Sequence, residues 1–256
     1  MINPRAVVDP RAHLAASVSI GPFSVVGPDV QIDAGTWVGP HVVINGPARI
    51  GKENRIFQFA SLGDIPQDKK YKSEASELVI GDHNTIREYC TINRGTLNGH
   101  GSTMIGNDNW IMAYVHIAHD CRIGNHTVFS NGATLAGHVI IEDYATLGGF
   151  TLVHQFCHIG RHAFCGMGTA LNRDLPPYML ASGNLAEPHG INKVGLKRHG
   201  FSLETIQALH KAYLLLIKSR KKRGDEAQQL QELGRAYPEV AHMVEFVNNS
   251  PRGVIR

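Results

Sequence analysis

The chain has 256 residues, 43% of them hydrophobic and 18% charged. That balance excludes disorder as the dominant state and suits one large domain or two small ones. A formal net charge of +3 is too small to imply nucleic acid by itself. The longest unbroken apolar run is Ala212 to Ile217, far short of the ~20 residues of a membrane span, so no membrane insertion is expected.

The first residues, Met1-Ile2-Asn3-Pro4-Arg5, lack the basic-then-apolar layout of a secretory signal. Cys90, Cys121, Cys157 and Cys165 lack a CxxC spacing and read as reduced thiols of a cytoplasmic protein. From Ile2 onward an aliphatic residue recurs at every sixth position through Leu62. The series resumes at Ile80, Ile86 and Ile92, and again from Ile105 to Leu171. Of these 26 positions 24 are Ile, Val or Leu, the exceptions being Phe129 and Cys165. A helix would repeat every three to four residues and an ordinary strand every two. A strict six means a short strand, a corner, and another short strand, with the aliphatic residue inward. The following residue is Gly in 11 cases and Asn or Asp in six, which suggests that it takes the bend. Three sides close a coil of eighteen residues, and stacked coils form a parallel β-helix around one aliphatic core.

Two segments interrupt the hexads. Residues 63–79 carry Asp64, Asp68, Lys69, Lys70, Lys72, Glu74 and Glu77, a polar loop that leaves the coil. Residues 97–103 carry two glycines and shift the phase by one residue. Long loops on a regular scaffold are usually functional, although inert insertions occur. Arg173-Asp174-Leu175-Pro176-Pro177 breaks the pattern, which gives a β-helix over 1–176 and a helical C-terminal domain over 177–256. Ser202 reads as the N-cap of a helix over 203–223. A second helix is expected over 225–236 and a third after Pro238. Between Lys193 and Arg223 there are nine Lys or Arg against Glu204 alone, either a solvated face or a surface for an acidic partner.

Fifteen histidines are many, and the eighteen-residue coil sorts them. Residues eighteen apart stack, so His119 lies against Gly137, Gly137 against Gln155, and Asp120 against His138. One edge of the prism thereby gathers His116, His119, Asp120, Gly137, His138, His154 and Gln155 within about 5–10 Å. Such a strip suits a histidine acting as general base on a hydroxyl, with a carboxylate to orient it and the Gly137 amide to hold an oxyanion. It also suits histidines around zinc, although no HxxxH or CxxC pattern accompanies them. Turn histidines with no chemistry are the third possibility.

The hexads resemble those of the hexapeptide-repeat acyltransferases, whose β-helix is left-handed. IPQDKKY (65–71), INRGT (92–96), HIAHDC (116–121), TLAGHV (134–139), LVHQF (152–156) and GLKRHGFS (195–202) are similar to the UDP-N-acetylglucosamine 3-O-acyltransferases among them. The resemblance covers nearly the whole chain. It implies transfer of an (R)-3-hydroxyacyl group from acyl carrier protein to the 3-hydroxyl of UDP-N-acetylglucosamine, the first step of lipid A biosynthesis, in a cytoplasmic homotrimer. No metal and no cofactor enter beyond the phosphopantetheine on the donor. His119 matches the general base, Asp120 its partner and Gly137 the oxyanion amide. Asp68 and Lys70 match sugar- and phosphate-side contacts, and His116, His138, His154 and Gln155 match residues lining the substrate cleft. Asn192 and Arg198 match contacts to nucleotide or donor, and Met167 falls where the family places its acyl-chain ruler. Methionine there, in place of glycine, implies a chain near about ten carbons, because an unbranched thioether fills the end of an apolar slot.

Three positions depart from the family pattern: Asn93 stands where His is usual, His199 where a second Arg is common, and Val194 where an acidic residue is common. They leave open a 3-amino UDP-sugar as acceptor. A zinc hydratase like the γ-class carbonic anhydrases is the alternative from another class. The N-acyltransferases of the same fold carry a separate N-terminal domain, and hexads starting at Ile2 disfavour them.

Overall fold

The structure is a computed structural model that describes residues 1–219 and 224–256. Each hexad forms a strand of two to four residues, and three strands close one coil of a triangular prism. The coils stack into three sheets of nine, eight and ten strands, which form the first, second and third faces of the prism. Where no insertion intervenes the register is eighteen residues: His116 lies opposite Thr134 and Thr134 opposite Leu152.

The aliphatic positions point inward, as their period requires. From Ile20 to Leu171 every one is at most 5% exposed, whereas Ile2 at the open first coil is 49% exposed. A second inward column lies two residues earlier in each hexad and holds small side chains such as Ala60, Ala133 and Ala163, all buried. Cys90, Cys121 and Cys157 occupy this column and Cys165 an aliphatic position; all four are buried and free. Its polar members satisfy one another. Asn54 Oδ1 accepts from Asn84 Nδ2–H at 3.0 Å, Asn84 Oδ1 from the Asn109 N–H at 2.9 Å, and Asn109 Oδ1 from the Thr127 hydroxyl at 2.6 Å. Buried amides are retained only with such partners.

The corners differ from expectation. The left-handed backbone falls three residues after most aliphatic positions and not one after: Phe23, His41, Tyr114, Asp120, His138 and Phe156 all have φ between 56° and 64°. The glycines that directly follow the aliphatic residues answer a different need. A Cβ on Gly21 would stand 2.6 Å from the Gly39 carbonyl carbon, and one on Gly148 2.7 Å from the Cys165 oxygen. Close approach of neighbouring coils selects them.

The residue two past the aliphatic position makes no rung of the ladder, and Pro22, Pro28 and Pro40 occupy it without loss of a hydrogen bond.

Both insertions leave the prism at one corner. The first joins Ser61–Asp64 to Glu77–Ile80 and the second joins Thr91–Asn93 to Ser102–Ile105, each running from first face to second. Strand pairing continues past residue 176: Met179–Ser182 extends the third face beside Phe164–Cys165 and pairs antiparallel with Glu187–Ile191. Helix α1 (Lys193–Arg198) follows, then α2 (Leu203–Tyr213), a π-helical turn (Leu214–Lys218), α3 (Gly224–Ala236) and α4 (Pro238–Asn249). Ser202 caps α2 as expected, its hydroxyl accepting the Thr205 N–H at 3.1 Å. The helix expected over 203–223 is α-helical only to Tyr213, and residues 220–223 lie outside the described residues.

Candidate active site

His119 and Asp120 sit on the corner between first and second faces, just after the strand His116–Ile117. Asp120 takes the left-handed position of the corner, with φ 61°. That turn places two consecutive side chains together, so His119 Nδ1 lies 2.8 Å from Asp120 Oδ2. Asp120 is only 1% exposed. Burial raises its pKa, but hydrogen bonds from His119, Thr96 and His100 outweigh this and hold it at about 2. An ionised carboxylate only accepts, so His119 donates through Nδ1–H and its Nε2 carries a free lone pair. This is the tautomer that a general base requires.

The next coil brings Gly137 against that nitrogen. A Cβ on residue 137 would stand 2.7 Å from His119 Cε1 and 2.8 Å from Nε2, so only glycine leaves the ring its place. Gly137 occupies the corner position that prolines fill elsewhere, and its buried N–H has no partner among the described residues. A free buried amide beside a base can hold a developing oxyanion.

His138 meets His119 edge to face at 5.1 Å and stacks on Phe156 at 4.5 Å. Its Nε2 is 3.8 Å from Asp120 Oδ2, beyond hydrogen-bond range. Burial lowers its pKa and favours the neutral imidazole. The first insertion adds Asp68 and Lys70 to the same groove, a cavity of about 840 Å³ that also reaches Gln155 and Pro251. Asn93 and Arg94 hold that insertion: Asn93 Nδ2–H donates to the Ile65 carbonyl at 2.9 Å and Arg94 Nη2–H to the Tyr71 hydroxyl at 3.0 Å.

Of the sequence-derived candidates, Asp68, Lys70, His119, Asp120, Gly137, His138 and Gln155 therefore come together. The other five do not join them within one protomer. His116 is half-buried on the first face, with Nδ1 2.7 Å from the Thr91 hydroxyl. His154 is exposed, its Nδ1 3.2 Å from the Gln155 carbonyl. Asn192 caps α1, accepting the Gly195 N–H, and donates to the His162 carbonyl. Arg198 is exposed in the last turn of α1, and Met167 is 81% exposed on the corner between third and first faces. His199, one of the three departures, packs edge-on against Tyr144 and His162.

Thr96, Asn98, Gly99 and His100 of the second insertion line the groove and escaped the sequence reading. Their signal was the phase: both insertions follow the face that carries residues 117 and 135.

His119, Asp120 and His138 offer three ligand atoms within 4.8 Å of one another, a spacing that a metal ion could use. Within this group His119 Nδ1 and Asp120 Oδ2 share a hydrogen bond. Asp120 Oδ2 is already engaged by both His119 Nδ1–H and the Thr96 hydroxyl, which suits an acid–base dyad better than a carboxylate ligand of a closed zinc site.

Comparisons with known proteins bear on the family of the chain. Residues 102–137 match the family model for the bacterial transferase hexapeptide (six repeats). Residues 174–255 match the model described as UDP-N-acetylglucosamine O-acyltransferase, domain 2. The acyl-[acyl-carrier-protein]–UDP-N-acetylglucosamine O-acyltransferase of Halorhodospira halophila is 57% identical, covering 100% of this chain and 99% of the relative. That of Thiobacillus denitrificans is 50% identical with the same coverage of both. Among solved structures, the UDP-N-acetylglucosamine acyltransferase of Francisella novicida superposes with a TM-score of 0.96 at 43% identity, covering 100% of this chain and 94% of that one. The fold is therefore the left-handed parallel β-helix of hexapeptide repeats with a C-terminal helical end. With full-length identity of this order, the chain belongs to the UDP-N-acetylglucosamine O-acyltransferase family.

Proposed function

We propose that the protein transfers an (R)-3-hydroxyacyl group from the thioester of acyl carrier protein to the 3-hydroxyl of UDP-N-acetylglucosamine, the opening step of lipid A biosynthesis. The relatives' names supply donor and acceptor, and one observation carries the chemistry: His119 is held by Asp120 with Nε2 against Gly137. Nε2 takes the proton of the sugar hydroxyl as its oxygen attacks the thioester carbon. The Gly137 N–H holds the tetrahedral oxyanion. Collapse breaks the carbon–sulfur bond, and the imidazolium returns the proton to the departing thiolate. No covalent acyl-enzyme forms. Asp68 and Lys70 bind the sugar and phosphate side of the acceptor, while His138, His116, His154 and Gln155 line the cleft. Asn192 and Arg198 contact the nucleotide or the donor.

The working unit is a homotrimer with the cleft completed between subunits. Two features support this reading. Met167, the proposed chain ruler, lies on a different corner from His119, so it can act on that cleft only across a subunit boundary. Phe23, His41, Phe59, Tyr89 and Tyr114 stack along that same corner at 4.9–5.2 Å, and the first, third, fourth and fifth are 45–63% exposed. An exposed aromatic stripe of this length calls for a cover. The exposed Lys193, Lys197, Arg198, Lys211 and Lys218 suit an acidic carrier protein. We place the reaction in the cytoplasm, as the family resemblance implies. Among the described residues no helix is long and apolar enough to cross a membrane.

The test is mass spectrometry of products formed from UDP-N-acetylglucosamine, or its 3-amino analogue, with a mixture of hydroxyacyl carrier proteins. An alkali-labile O-ester with a chain near about ten carbons is expected. His119→Ala should lower turnover by about 10²–10⁴. Exclusive N-acylation, or full turnover in that variant, would refute the reading.

A further inference from the structure

We propose that the loop 94–101 is a carboxylate cradle and that Thr96 is a positioning residue of the acyl transfer, fixing Asp120 and through it the aim of His119. The inference rests on the general-base reading above and names what that base depends on.

A buried carboxylate stays ionised only if donors replace water. Asp120 has four. Oδ1 accepts the Thr96 N–H at 3.0 Å and the His100 N–H at 3.1 Å, and Oδ2 accepts the Thr96 hydroxyl at 2.7 Å and His119 Nδ1–H at 2.8 Å. Three of the four come from one loop, two on Oδ1 and one on Oδ2. The Asp120 N–H is tied down as well, donating to the Thr103 hydroxyl at 2.9 Å.

The solenoid supplies its own control. Asp29, on the same edge as Asp120, and Asp108, on the edge between the second and third faces, stand at the same left-handed position of their corners, with no loop over them. Their carboxylates are 55% and 45% exposed, and that of Asp108 is 3.9 Å from the nearest imidazole nitrogen, on His126. An uncovered corner gives a solvated, loosely paired carboxylate. The insertion turns the same corner into a dry and fixed one.

The loop is shaped for this. A Cβ on Gly99 would stand 2.3 Å from Asp120 Cγ, so backbone closes directly over the carboxylate. Thr96 is 3% exposed, and its carbonyl accepts the Gly101 N–H at 2.9 Å, which folds the loop back on itself. Gly95 N–H reaches the Glu77 carbonyl and fastens it to the second face. The Thr96 hydroxyl shares Oδ2 with His119. Without it Oδ2 keeps His119 as its single donor, only the two N–H bonds to Oδ1 set the carboxylate plane, and the aim of the ring loosens with it. A small misplacement of a general base is costly in rate.

The experiment uses the full-length enzyme with Thr96→Val, which is isosteric, and Thr96→Ser, which restores the hydroxyl. Thr96→Val should lower kcat about 10–100-fold, while KM for both substrates stays within about twofold. Thr96→Ser should recover most of the loss. In an Asp120→Ala background Thr96→Val should cost nothing more, because its effect runs through that carboxylate. The low-field Nδ1–H proton resonance of His119 should be lost or broadened in the valine variant and kept in the serine variant. Full kcat in Thr96→Val, equal impairment of both variants, or an additive loss in the Asp120→Ala background would overturn the cradle. Should His119→Ala keep its turnover, the general-base reading fails instead, and the Nδ1–H resonance still decides whether Thr96 fixes the dyad. Thr96→Ala carries the same test if the valine variant does not fold.

Discussion

Gly137 and Asp120 show how little at the residue scale is negotiable. Any Cβ at 137 collides with the His119 ring, so Gly137→Ala must push the imidazole aside. The expected cost is about 10²–10³ in turnover, since both the oxyanion amide and the base are displaced. Its melting temperature should stay within a few degrees of wild type, and steady-state kinetics beside thermal unfolding measure the pair. Asp120 gives a pH signature. Its carboxyl is held at about 2, below the ordinary aspartate range, so the stability it contributes is fully present above that range and is lost as the pH falls through about 2. The stability difference between wild type and Asp120→Asn should thus be flat near neutrality and shrink in strong acid. Acid titration of both proteins checks this, and a difference that grows as the pH falls contradicts it. The His119–Gly137 pairing was legible in the sequence because both residues sit in uninterrupted hexads, where eighteen residues make one turn. Thr96 was not, because it lies in an insertion whose path no period describes.

At the scale of elements, periodic segments were the readable ones. The aliphatic columns, the Ser202 cap and the helix after Pro238 follow from spacing and capping chemistry alone. The strands Met179–Ser182 and Glu187–Ile191 escaped because they lie beyond the break at 173–177, outside any hexad period, and partners on the third face and in each other decide their pairing. The way the helical end is fastened also depends on tertiary contact. Glu142, on the second face, lies 2.9 Å from His158 Nε2 and 3.4 Å from His242 Nε2 on α4, and accepts the Arg161 N–H at 2.8 Å. Burial raises the Glu142 pKa, but its close pairing with the two histidines outweighs this and carries it well below the usual carboxylate range. Its contribution is therefore present at neutral pH and is lost in acid. Glu142→Gln should destabilise the protein by roughly 1–3 kcal/mol at neutral pH, with faster hydrogen exchange in α4 than in the coils. Uniform exchange along the chain would argue against a clasp at this point.

For the whole molecule, the exposed aromatic corner and the separation of Met167 from His119 make one set of expectations. Phe59→Glu with Tyr114→Glu should yield single chains in sedimentation, folded by circular dichroism and with little turnover, although neither residue touches the dyad. A trimer that survives both charges would remove this corner from the interface. Met167→Gly should lengthen the preferred acyl chain by several carbons, as read from competition among carrier-protein donors; an unchanged preference would place the ruler elsewhere.

The repeated corner has a consequence for how such enzymes diversify. Successive turns present the same backbone geometry along one edge, so the prism behaves as a rail graduated in steps of about 4.8 Å. Transplanting an imidazole and its facing glycine by eighteen residues would slide the chemistry one graduation relative to whatever grips the sugar. Regiochemistry on such a scaffold is then a matter of counting turns, provided that the insertion covering the carboxylate moves with the pair.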